Sequence, residues 1–174
     1  MRIFIIGYMG SGKSTFGPEL ADALNIPFYD LDIEFESRYK ISITDFFHKY
    51  GEKYFREIER NLLHEIGKHD DFVLAAGGGT PCYHQNMDFM NRTGITVYLK
   101  VPINTLKERL KASPRKRPVL GTFDGPDYEQ HLRDHLNLRE PFYLQAQIIL
   151  DGSNPEPAEV SEMIRLRVMN IRDG

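Results

Sequence analysis

Near the N-terminus, Gly7-Tyr8-Met9-Gly10-Ser11-Gly12-Lys13-Ser14 fits the pattern G-x-x-x-x-G-K-[ST], with Thr15 next in line. Glycines there let successive backbone N–H groups turn into one concavity, and a helix starting at its rim adds the positive end of its dipole, so that triphosphate oxygens are held. Lys13 then reaches the β and γ phosphates, and the Ser14 hydroxyl can ligate Mg²⁺. The motif specifies a nucleoside triphosphate with magnesium. It does not separate a kinase from a GTPase or a motor.

Other residues suit a second substrate. Asp30 and Asp32 stand two apart at the end of a short apolar segment, where open α/β sheets place their ligands. One can steady a metal while the other orients a substrate hydroxyl and accepts its proton, or both can cap the following helix. Arg56 and Arg139 offer planar forks of donors that clamp a carboxylate if they converge, and surface ion pairs if they do not. Gly77-Gly78-Gly79 lets a flat ring or a phosphate approach the backbone closely, or else makes a loose turn before Pro81.

The elements that must position these groups alternate. Apolar, β-branched runs predict buried parallel strands at Ile3 to Ile6, Ile26 to Leu31, Phe72 to Ala76, Ile95 to Val101 and Ile148 to Leu150. Helical spacing predicts helices from Lys13 to Leu24, stopped by Pro27, from Ile33 to Tyr39, and from the Ser42-Asp45 cap to Gly51. Further helices are expected over Glu52 to Lys68, Asn104 to Lys111, Tyr128 to Leu144 and Pro157 to Asn170. Such alternation gives a parallel sheet with helices on both faces. The aperiodic stretch from Ala112 to Asp127, rich in proline and basic residues, reads as a mobile loop.

Composition narrows the class. A chain of 174 residues with 41% hydrophobic and 27% charged content fits one soluble domain. Its net charge of -3 argues against a nucleic-acid or membrane-surface binder. Cys82 is the single cysteine, so an intrachain disulfide is impossible, and a reducing, cytoplasmic setting is expected. His131 and His135 share a helix face without an acidic partner in a zinc pattern, and are expected to be solvated.

Taken together, the chain resembles the shikimate kinases, small enzymes of aromatic amino-acid biosynthesis. The resemblance runs from Ile3 to about Ile164 and is carried by the phosphate loop, Asp30-Leu31-Asp32, Phe55-Arg56-Glu57-Ile58-Glu59, the triple glycine, Arg117-Pro118-Val119-Leu120 and Arg139-Glu140-Pro141-Phe142-Tyr143. It implies a single three-layer α/β/α P-loop domain of the nucleoside-monophosphate-kinase-like type. That domain would span 1–174, with a five-stranded parallel sheet and a lid at about 112–127. The implied reaction moves the γ-phosphoryl group of ATP to the 3-hydroxyl of shikimate. The same resemblance implies that Gly10, Ser11, Gly12, Lys13, Ser14 and Thr15 bind ATP, that Ser14 and Asp30 attend Mg²⁺, and that Asp32 meets the ring hydroxyls as the base. Arg56 and Arg139 would hold the carboxylate, with Gly77, Gly78 and Gly79 lining the ring. Arg117 would act from the lid, with Arg115 as a second candidate, and Arg109 would sandwich adenine with Pro155 or Pro157.

Two rivals have distinct signatures. A kinase of gluconate or of a nucleoside monophosphate shares the fold but lacks this set of acids, arginines and glycines. A regulatory nucleotide-binding module would bind ATP without turnover. Nothing in the sequence demands more than a monomer.

Overall fold

The structure, a computed structural model, describes residues 1–113 and 127–172. The expected lid lies almost wholly outside these residues, and so do Arg115 and Arg117. The first apolar run forms β1 (Arg2–Ile6), in which Ile3 to Ile6 are fully buried. Four more strands follow: β2 (Phe28–Asp30), β3 (Phe72–Ala75), β4 (Ile95–Lys100) and β5 (Ile148–Asp151). All neighbours are parallel, in the order β2-β3-β1-β4-β5. Ile3 opposes Val73 on one side and Ile95 on the other, which makes β1 the central strand.

Because side chains alternate across a strand, the sheet feeds two cores. Phe4, Ile6, Phe72, Leu74 and Tyr98 point to one face. There they meet α2 (Leu31–Tyr39), α3 (Ile43–Tyr50), α4 (Glu52–Ile66), α5 (Asn86–Thr93), α6 (Ile103–Ala112) and α7 (Tyr128–Tyr143). Ile3, Ile5, Val73, Val97 and Leu99 point the other way. They pack against α1 (Lys13–Leu24) and α8 (Pro157–Arg172). The result is the expected three-layer α/β/α arrangement.

Several boundaries differ from expectation for local reasons. Helix α2 begins at Leu31 rather than Ile33, because the Asp30 side chain accepts from the N–H groups of Asp32 at 3.0 Å and Ile33 at 3.3 Å. Strand β2 is shortened to match. Helix α1 is ended by Asn25 in the left-handed conformation, φ 58°, not by Pro27. The turn Thr80–Cys82 and helix α5 have no counterpart in the sequence reading.

The first face is braced by aromatic rings. Phe35 stands edge-on to Phe46 and Phe55, with centroids 5.1 and 4.9 Å apart. This cluster locks α2 and α3 onto α4 and thereby fixes the helix that carries Arg56; truncating Phe35 to alanine should cost about 3–5 kcal/mol. Among the described residues, no helix is long and apolar enough to cross a membrane.

Candidate active site

The carboxyl ends of β1, β2 and β3 open into one cleft of about 540 Å³. Gly10 to Thr15, Asp30, Asp32, Gly77 and Gly78 line it from these strands, and Arg109 and Pro155 line it from the other side. Pro157 is not part of that lining and instead starts α8.

The phosphate loop has the geometry its glycines allow. Gly10 and Gly12 have φ of 78° and 96°, a region L side chains rarely adopt. Lys13 is buried and folds back across the loop, its Nζ donating to the carbonyls of Gly7 at 2.8 Å and Tyr8 at 2.9 Å. Arg109 leans over the same loop, with Nη1 3.4 Å from the Gly10 carbonyl and 3.3 Å from that of Ser11. Its Nη2 donates to the Ser153 carbonyl at 3.2 Å, which ties α6 to the loop that carries Pro155.

The two acids have parted roles. Asp30 ends β2, where one carboxylate oxygen caps α2 and the other accepts from the Ser14 hydroxyl at 2.5 Å. Asp32, expected at the strand end, sits instead in the first turn of α2. A Cβ on Gly77 would come within 3.0 Å of its Oδ1, so Asp32 lies directly against the triple glycine.

Arg56 is buried, at 5% exposure, and is no surface ion pair. Its Nη1 donates to Glu59 at 2.7 Å, while Nε and Nη2 donate to one oxygen of Glu52 at 3.1 and 2.9 Å. Burial pulls its pKa down, yet Glu59 and Glu52 outweigh burial and hold it above the usual arginine range. The Tyr83 ring lies 4.4 Å from the guanidinium carbon. Glu59 also accepts from Thr80 at 2.6 Å and is 2% exposed. Gly79 packs directly on Arg56, since a Cβ there would meet Nη2 at 2.4 Å. None of the three consecutive glycines has a positive φ; a side chain would crowd Glu59, Thr80 and Asp32 at Gly77 and Arg56 at Gly79, and at Gly78 it would meet the backbone N of Met9 at 3.3 Å.

Arg139 is 8% exposed, and its Nε is buried with no hydrogen-bond partner among the described residues. Both Arg56 and Arg139 act electrostatically on Cys82 and on His135, which puts the two guanidinium groups in one neighbourhood. Burial pushes the Cys82 thiol up to about 11, so it packs as a small apolar group rather than a nucleophile. Tyr143, four residues after Arg139, donates to the Gly78 carbonyl at 2.5 Å and fixes the end of α7 to the glycine run.

His135 departs from its expected solvated place. It is partly buried, with Nδ1 at the Tyr8 hydroxyl and Nε2 at Arg139 Nη1. The sequence signal was its position one helical turn before Arg139, which without Tyr8 in view identified nothing.

A doubly covered parallel sheet, a phosphate loop after its central strand, and an acid beside the loop at the strand ends define a P-loop kinase of the nucleoside-monophosphate-kinase-like type. A sequence model described as Shikimate kinase matches residues 9–168. The chain is 45% identical over 151 residues to a shikimate kinase of Parabacteroides distasonis, covering 87% of each chain. The crystal structure of shikimate kinase from Bacteroides thetaiotaomicron superimposes with a TM-score of 0.84 at 40% identity, covering 100% of this chain and 99% of that one. Shikimate kinase from Acinetobacter baumannii in complex with shikimate gives a TM-score of 0.84 at 32% identity, covering 97% and 93%. The chain belongs to the shikimate kinase family. It is therefore an enzyme, a kinase, and neither the gluconate nor the regulatory-module reading stands.

Proposed function

We propose that these residues carry out the family's reaction, ATP-dependent phosphorylation of shikimate, by transfer to the 3-hydroxyl within a single-domain, cytoplasmic, monomeric enzyme. The N–H groups of Gly10 to Thr15 cradle the phosphates, and Lys13 turns from its loop carbonyls to the transferring group. Adenine lies between Arg109 and Pro155, which both line the cleft. Asp32 receives the attacking hydroxyl and orients it toward phosphorus, taking its proton as the bond forms. Arg117 serves as the lid arginine on the strength of the resemblance alone, since it lies outside the described residues.

Magnesium fits the donors that are present. Ser14 Oγ and an Asp30 carboxylate oxygen lie 2.5 Å apart at the end of the phosphate loop. Among the described residues no group of three His, Cys, Asp or Glu side chains could cage an ion. A hydroxyl paired with one carboxylate oxygen suits Mg²⁺, which keeps several waters and takes its other ligands from phosphate. When bound, it neutralises charge on the β and γ oxygens.

The observation that carries the acceptor is Arg139 Nε, buried and without a hydrogen-bond partner among the described residues. Buried donors are normally satisfied, and a guanidinium edge left bare beside a second arginine suits a carboxylate. ADP release with Mg-ATP and shikimate, run beside gluconate, nucleoside monophosphates and no acceptor, tests the reading. Shikimate-dependent turnover of about 1 per second or faster is expected. Turnover with another acceptor only would overturn it.

A further inference from the structure

Arg139 and His135 lie one turn apart on α7, and Arg139 Nη1 contacts the His135 ring at Nε2. A guanidinium has donors only, so Nε2 must present a lone pair and the single proton of the neutral ring must sit on Nδ1. Nδ1 lies 2.5 Å from the Tyr8 hydroxyl, whose oxygen accepts that proton's bond. Tyr8 belongs to the phosphate loop and is 1% exposed, so the ring is anchored at a rigid point. The two rings also meet edge to face, with centroids 5.5 Å apart.

Charge distinguishes the two arginines. Arg56 is paired with two carboxylates, Glu52 and Glu59, and its positive charge is already spoken for. Arg139 is held instead by a ring that is uncharged near neutral pH, because burial, together with Arg139 and Arg56, pushes His135 down to about 4 against the pull of Glu52. A neutral acceptor fixes Nη1 without cancelling the charge. It leaves the Nε and Nη2 edge, the side that grips a carboxylate through two parallel bonds.

We infer that His135 is a positioning residue for Arg139: pinned by Tyr8, its neutral imidazole turns the guanidinium so that its bare edge, with undiminished charge, meets the substrate's carboxylate. This rests on the reading of Arg139 as the carboxylate clamp.

The test is steady-state kinetics at neutral pH on His135→Ala, His135→Gln, His135→Glu and Arg139→Ala, with thermal melts alongside. His135→Ala should raise the KM for shikimate about tenfold, as expected for a lost bond to a charged group, and leave the KM for ATP within about twofold. Glutamine reaches the Nε2 position with an amide oxygen, so His135→Gln should restore the shikimate KM to within about threefold of the wild type. His135→Glu keeps the reach but neutralises Arg139, and its KM should stay at least as high as that of the alanine variant. Should the alanine variant fail to fold, the contrast between glutamine and glutamate decides alone. Equal shikimate KM values for Gln and Glu would overturn the inference. If Arg139→Ala raises the shikimate KM while the His135 variants match the wild type, only this inference falls; if Arg139→Ala leaves it unchanged, the clamp itself falls.

Discussion

The hydroxyl of Ser14, at the start of α1, lies 2.5 Å from a carboxylate oxygen of Asp30, at the end of β2. The same Asp30 side chain caps α2 through its other oxygen. One residue thus closes the phosphate loop against the strand edge and starts the helix that carries Asp32.

Asp30→Asn separates these duties. Asparagine caps helices about as well as aspartate, so the melting temperature should fall by no more than a few degrees. The Mg²⁺ concentration needed for half-maximal activity should rise several-fold, read from a titration at fixed ATP. An unchanged magnesium dependence would remove Asp30 from the metal's surroundings.

Asp32→Asn should lower kcat by about 10²-fold or more, the usual scale for a lost general base, with the KM for ATP little changed. A pre-steady-state comparison of the two proteins checks that the phosphoryl-transfer step itself has slowed.

Arg56 has a structural duty that Arg139 lacks. Removing it leaves Glu59, 2% exposed, as a buried and uncompensated carboxylate. Arg56→Ala should therefore destabilise the fold by about 3–5 kcal/mol, whereas a Glu59→Gln change made in the same chain should recover part of the loss. Denaturant melts of the single and double variants give both numbers. A destabilisation under 1 kcal/mol for Arg56→Ala would contradict this account.

Gly79→Ala tests the crowding of the glycine run. Its Cβ would meet Arg56 Nη2 at 2.4 Å, and no special φ is involved, so the effect should fall on the substrate's carboxylate. The shikimate KM should rise about tenfold or more, by the loss of aligned charge-assisted bonds, and the ATP KM should hold.

The His135 ring also predicts a pH effect on stability. Its pKa is depressed to about 4 in the fold, from 6.5, by burial, Arg139 and Arg56, with Glu52 opposing. The unfolded chain thus binds this proton more readily, and stability present above pH 6.5 is lost as pH falls toward 4. His135→Gln removes this titration, so its stability should decline less steeply than the wild type's between those two values.

Contiguous signals made much of this legible in the sequence. The phosphate loop and β1 adjoin, and the apolar runs of β3 and β4 are long enough to read as buried strands. Asp32 falls in the first turn of α2, two residues past the strand end, because Asp30 caps that helix, a role that shows only once the N–H groups it satisfies are known. The triple glycine was read as room for a ligand; Gly77 and Gly78 do line the cleft, and the packing of Glu59, Thr80 and Asp32 against Gly77 and of Arg56 against Gly79 was not legible in the sequence. His135 was read as solvated because the partner that gives it meaning, Tyr8, is 127 residues away. Helix α5 escaped because eight residues with few apolar positions carry too weak a period.

The central place of β1 also bears on how the enzyme is made. Both of its neighbours, β3 at Phe72–Ala75 and β4 at Ile95–Lys100, are synthesised long after it. The emerging chain therefore carries its whole phosphate loop with no sheet to set it in until β3 is made, and a nascent chain released before Phe72 should show no nucleotide affinity.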